Sequence, residues 1–203
     1  MLNKKKNYKN NYKKSILNYD NNIKIFGFWI YLMSDIILFS TLLATYFVLK
    51  NNLYNLIIVK NIFNLFFTFI ESIVLLISSL TFGISKFYIK KFNKLKTIKW
   101  LIITFFFGFI FILIEIYEFL NLINKGYCHN KSAFLSSYFT LIGMHGLHVI
   151  IGLLWIIIMI IHIYINKFSI SNLIRFKCLS LFWHLLDIIW IVIFTFVYLI
   201  GVI

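Results

Sequence analysis

The sequence predicts an all-α integral membrane protein, a bundle of five transmembrane helices with its N-terminus in the cytoplasm and its C-terminus on the outer side. Three observations carry that expectation. The chain of 203 residues is 62% hydrophobic, with a mean hydropathy of +0.91 that no ordinary soluble domain reaches. Five apolar stretches are each long enough for the roughly 20 helical residues that cross a hydrocarbon layer about 30 Å thick. The basic residues fall on alternate sides of those stretches: sixteen lie in the N-terminal tail and the second and fourth loops, and four in the first and third loops. Lys and Arg are retained on the cytoplasmic side, so this split sets the orientation.

The first 24 residues, rich in Lys, Asn and Tyr, are too polar to build a core and are expected to form a disordered, basic cytoplasmic tail. Residues 25–203 form the transmembrane domain, with spans at about 26–49, 62–86, 100–124, 133–165 and 178–203. The first span is too long, and lacks the small-residue cleavage site, for a signal peptide. Loops this short leave no room for an extramembrane domain, so each backbone polar group in lipid must be satisfied within its own helix.

The charge of +14 could suggest nucleic acid, but that reading needs a basic face on a folded soluble domain, and no segment here can supply one. There is one arginine, Arg175, and heavy use of Lys, Asn, Ile and Phe, the pattern an AT-rich genome imposes. Cys128 and Cys178 fall on opposite membrane sides and are not expected to pair. The chain has no phosphate-binding glycine loop, no Cys-x-x-Cys and no Ser or Cys nucleophile beside an obvious base.

The apolar rule is broken by acids. Five of the six acidic residues, Asp35, Glu71, Glu115, Glu118 and Asp187, lie inside predicted spans. An ionised side chain at mid-membrane costs about 2.5–3.5 kcal/mol on insertion scales, so each is expected to face the protein interior, and each is a functional candidate. Glu115 with Glu118, His145 with His148, and His184 with Asp187 share the i, i+3 spacing that puts both side chains on one helical face.

Two glutamates and three histidines resemble the raw material of a di-metal bundle, and depth tests this. At about 1.5 Å per residue, Glu115 and Glu118 lie near the outer surface, at roughly 22 and 27 Å from the cytoplasmic end of helix 3. His145, His148, His184 and Asp187 lie roughly 8–13 Å above the cytoplasmic face. Metal ligands must lie within about 2–2.5 Å of one ion, so no metal site is expected. The expectation is instead a polar network between helices 4 and 5, with Asp187 orienting His145 and His184 near His148. Helix adhesion alone would also account for these groups. Ser40, Thr41, Ala44 and Thr45, and Gly143, Gly146 and Gly152, are expected to let helix backbones approach closely. Close helices leave no gap for a haem between His pairs.

The stretches FGFWIYLMSDIILF (26–39), EIYEF (115–119), GMHGLHVIIGLLW (143–155) and CLSLFWHLLDIIWIVIFTFVYLIG (178–201) resemble subunit III of the haem-copper oxidases. Five helices, and aspartate rather than glutamate at Asp35, resemble its quinol-oxidase branch. The resemblance implies a subunit of a proton-pumping ubiquinol oxidase in the bacterial inner membrane that carries no redox centre and no catalytic residue. It implies haems and copper in a partner subunit I, further oxidase subunits, and no nucleic-acid partner. It also implies phospholipid held in a cleft, with Glu71 a neighbour of Asp35 there, and a role in assembly, stability and proton uptake.

A second reading is a stand-alone proton or cation transporter with Asp35, Glu71 and Asp187 as a relay. The internal repeats and paired broken helices common in transporters are missing from the sequence.

Overall fold

The structure is a computed structural model that describes residues 2–50, 65–127, 129–165 and 170–199, with backbone alone at 2–21, 65, 129, 170 and 171. Cys128, and the expected loop and terminal segments 51–64, 166–169 and 200–203, lie outside the described residues. Five long helices follow one another: α1 (Leu2–Lys50), α2 (Leu65–Lys90), α3 (Lys94–Asn124), α4 (Ala133–Ile165) and α5 (Ile170–Ile193), the last continued by a π-helical turn, Phe194–Leu199. Each contains a segment long and apolar enough to cross a membrane, Asn22–Lys50, Phe66–Lys90, Lys94–Asn124, Ala133–Ile165 and Asn172–Leu199.

Two boundaries differ from expectation. Helix α3 starts six residues before residue 100, and α5 starts at Ile170, where the apolar run suggested 178. In both cases polar residues continue the helix because its inner face is still covered: Thr97, Asn172 and Phe176 are buried. The expected disordered tail is helical, since α1 runs without interruption from Leu2. Residues 2–26 contain neither Gly nor Pro, so nothing breaks a helix that continues from the span.

Helices α2 and α3 form the most extensive pair, α4 packs on α3 and α5, and α5 closes the ring against α2. Helix α1 lies outside this four-helix unit in the groove between α4 and α5, and its span is the least buried of the five. The outer surface is mainly apolar, with Val48, Leu80, Phe106, Leu154 and Ile188 among its exposed side chains, as contact with lipid requires.

Antiparallel connection places the ends of α2 and α4 and the starts of α3 and α5 together at a lysine-rich end. The opposite, lysine-poor end holds Lys50, Lys125 and Lys131.

The core is an aromatic column keyed into glycines. The Trp183 indole of α5 is fully buried between Gly108 of α3 and Gly152 of α4; a methyl group at either would stand about 3.0 Å from its ring. Its Nε1–H donates to Ser78 Oγ of α2 at 3.2 Å, so all four helices meet at one side chain. These glycines admit a side chain, whereas the sequence suggested close backbones. Ser40 borders a groove between α1 and α5, while Thr41, Ala44 and Thr45 face outward. All four are exposed, and the three hydroxyls donate to carbonyls of their own helix.

Candidate functional site

The intramembrane acids separate into three places. Asp35 is buried where α1 crosses α4, and its Oδ1 lies 3.8 Å from Nε2 of His148, with Tyr31 one turn below within hydrogen-bonding reach. His148 Nδ1 lies 2.8 Å from the Met144 carbonyl oxygen. A carbonyl only accepts, so Nδ1 carries a hydrogen. At 3.8 Å the Nε2–Oδ1 contact is too long for a hydrogen bond, so the two groups form an electrostatic pair between α1 and α4. The second carboxylate oxygen, Oδ2, is buried with no hydrogen-bond partner among the described residues.

Asp187 is buried on the far side of α5, facing α2, and neither carboxylate oxygen has a hydrogen-bond partner among the described residues. Its charged neighbour is His184 of its own helix, Nδ1 to Oδ2 at 3.7 Å, with that imidazole 41% exposed. The expected network is corrected here. Asp187 does not orient His145, and His184 stands beside Asp187 while His148 pairs with Asp35. His145 is fully buried, with neither ring nitrogen hydrogen-bonded among the described residues. It stacks on Trp190 at 5.1 Å and meets the edges of Phe111 and Phe39. The i, i+3 rule placed the two histidines on one side of α4, and both meet Phe39 of α1 and an aromatic ring of α5, but only His148 reaches a carboxylate.

The third place is the lysine-poor end, where Glu71 (α2), Glu115 and Glu118 (α3), Tyr138 (α4) and Tyr198 (π turn) come together. Glu71 lies within electrostatic reach of both other glutamates. Tyr198 Oη stands 2.9 Å from Tyr138 Oη and 3.5 Å from Glu118 Oε2, the latter a long contact for a hydroxyl donor. The Glu115 carboxylate lies directly over Gly146, and a methyl group there would stand 2.6–2.7 Å from its oxygens. Trp190 Nε1–H donates to the Ser72 hydroxyl next to Glu71 at 3.1 Å.

Glu71 is therefore not a neighbour of Asp35. It sits near the start of α2 among α3, α4 and the π turn, whereas Asp35 is 13 residues into its span on the opposite face of α4. A relay through Asp35, Glu71 and Asp187 is not assembled, because each has its own separate surroundings.

Sequence reasoning missed Tyr138, Tyr198, Trp190 and Ser72. A buried Tyr or Trp in an apolar run gives no periodic signal, and the π turn that brings Tyr198 inward is not written in hydropathy. Among the described residues no group of three or more His, Cys, Asp or Glu is arranged to hold a metal ion.

Five apolar helices with four buried acids and no extramembrane lobe among the described residues define a multi-pass helical membrane protein. The sequence model of the family "Cytochrome c oxidase subunit III" matches residues 18–202. The chain belongs to that family. It is 48% identical over 177 residues to "Cytochrome bo(3) ubiquinol oxidase subunit 3" of Pseudomonas aeruginosa, covering 87% of this chain and 85% of that protein. To the protein of the same name from Buchnera aphidicola subsp. Baizongia pistaciae it is 47% identical over 182 residues, covering 89% and 93%. To "Quinol oxidase subunit 3" of Bacillus subtilis it is 40% identical over 179 residues, covering 88% of each.

Proposed function

We propose that the chain acts as the non-catalytic subunit III of a proton-pumping ubiquinol oxidase of the bacterial inner membrane. The observation that carries this reading is similarity along nearly the whole chain to proteins named as that subunit. In this reading subunit I binds the haems and copper and reduces oxygen with electrons from ubiquinol. This chain packs against it with other oxidase subunits and with phospholipid, and supports assembly, stability and proton uptake. The basic N-terminal segment and the lysine-rich end face the cytoplasm, and the C-terminus faces the periplasm, in accord with the distribution of Lys and Arg.

Asp35 and His148 are the residues through which this chain would touch proton chemistry. They are a buried acid and a buried base that stand 3.8 Å apart on different helices. Mild detergent extraction followed by purification through a tag on this chain tests the proposal. Recovery with a larger, haem-containing subunit is expected. Isolation as a lone, colourless, transport-active protein would refute it.

A further inference from the structure

At the lysine-rich end, the last turn of α2 and the first turns of α5 enclose a cavity of about 610 Å³. Lys86 and Lys90, one turn apart on α2, and Lys177 on α5 line it, with Ile89 and Leu173 forming an apolar wall and Phe92 closing the rim. Neighbouring lysines are otherwise engaged: Lys91 lies over the Phe87 ring, Lys96 over Tyr88, and Lys94 donates to the Tyr164 carbonyl. Among the described side chains, none of the three cavity lysines has a carboxylate within 4 Å. Phe92 is held at φ +56°, a left-handed backbone that a bulky residue rarely adopts, and the residue is 65% exposed.

We infer that this cavity is a binding site for the headgroup of an anionic phospholipid. Three ammonium groups around one hollow need a counter-charge, and no described side chain supplies one there. The cavity lies at helix ends, at the level where headgroups sit, and its apolar wall runs from Ile89 in the core past half-buried Leu173 to the exposed Phe92 at the rim. An acyl chain can therefore follow the helices while the phosphate stays among the lysines. A soluble anion would make no use of that wall, and an acidic polypeptide would leave it uncovered. The left-handed Phe92 turns the chain sharply between α2 and α3 and sets an aromatic side chain at the interface beside the lysines.

The test counts lipid per copy of the chain, purified in mild detergent with its associated subunits. Extracted lipids are quantified by mass spectrometry, and delipidated samples are titrated with phosphatidylglycerol, phosphatidylethanolamine or inorganic phosphate. The K86Q/K90Q/K177Q variant is expected to lose about one anionic lipid per chain. Its apparent affinity for phosphatidylglycerol should fall about fivefold per ammonium, on the order of a hundredfold in all. The K86R/K90R/K177R variant should keep the lipid, as should K125Q/K131Q, which removes charge from the opposite end. If the triple variant does not accumulate, Lys177→Gln alone is read by the same titration.

Equal lipid retention in wild type and variant would overturn the inference. So would displacement of the lipid by inorganic phosphate, or loss of an acidic polypeptide with the lipid count unchanged. The lipid count is taken per chain, so failure to recover a haem-containing subunit would defeat the subunit III reading without touching this one.

Discussion

The two ends of the α3–α4 interface use glycine differently. Towards the lysine-rich half, Gly108 and Gly152 receive the flat face of Trp183, an apolar fit fixed by shape with one hydrogen bond at its edge. Towards the lysine-poor end, Gly146 receives the carboxylate of Glu115, an acid with one oxygen buried and unpartnered among the described residues. Association in lipid depends on van der Waals fit, because lipid tails are as apolar as the side chains they replace. The tryptophan contact therefore holds the helices together, while the glutamate contact places a polar group where adhesion does not need one. Small residues at helix contacts can serve either purpose, and only the neighbour distinguishes them.

The most severe way to break this comparison is Trp183→Ala. Opening a cavity where four helices meet should cost about 3 kcal/mol, the low end for large aromatic truncations because lipid rather than water is the surrounding medium. Thermal unfolding of the purified complex should show it, and an unchanged midpoint would contradict the shape-fitted core. Gly108→Ala is expected to cost somewhat less, about 1–3 kcal/mol, since its new methyl would stand 2.8 Å from Leu153 Cδ2. Glu115→Gln sharpens the contrast from the other side: the volume over Gly146 is kept and the charge removed, so stability should hold or rise slightly. A loss as large as that of Trp183→Ala would mean that the carboxylate is itself an adhesive.

Smaller effects separate proton chemistry from packing. Asp35→Asn should leave haem content of the complex nearly intact and shorten its working lifetime or slow proton uptake, measured as activity over repeated turnover. Failure to assemble would assign Asp35 a purely structural role. Tyr138→Phe, which removes one member of the hydroxyl pair with Tyr198, should cost about 1 kcal/mol in the same thermal assay.

Much of the site was legible because an acid in an apolar helix is conspicuous. Asp35, Glu71, Glu115, Glu118 and Asp187 announce themselves by cost, and all but Glu118, which is only partly enclosed, are buried in the structure. Their partners were not legible. Spacing put His145 and His148 on one face, but which helix meets each depends on where α1 lies, and α1 has no sequence mark saying that it packs against α4 and α5 and not α2. Depth along the helices put Glu115 and Glu118 about 10 Å from the histidines, but the Glu115 carboxylate lies against Gly146, the residue after His145, so Glu115 and His145 stand at similar heights in the bundle. Nor could that measure foresee Glu71 joining the two glutamates, because the order of helices around the bundle is not a property of depth.

The sequence by itself determined five long helices, an apolar exterior and the identity of the groups that must turn inward, because lipid leaves an unsatisfied backbone or an exposed acid no inexpensive alternative. Only the tertiary structure decided that Asp35 meets His148, that Trp183 is keyed between two glycines, and that three glutamates share one end with two tyrosines. Hydropathy is a property of single residues, whereas these arrangements depend on which helix stands beside which.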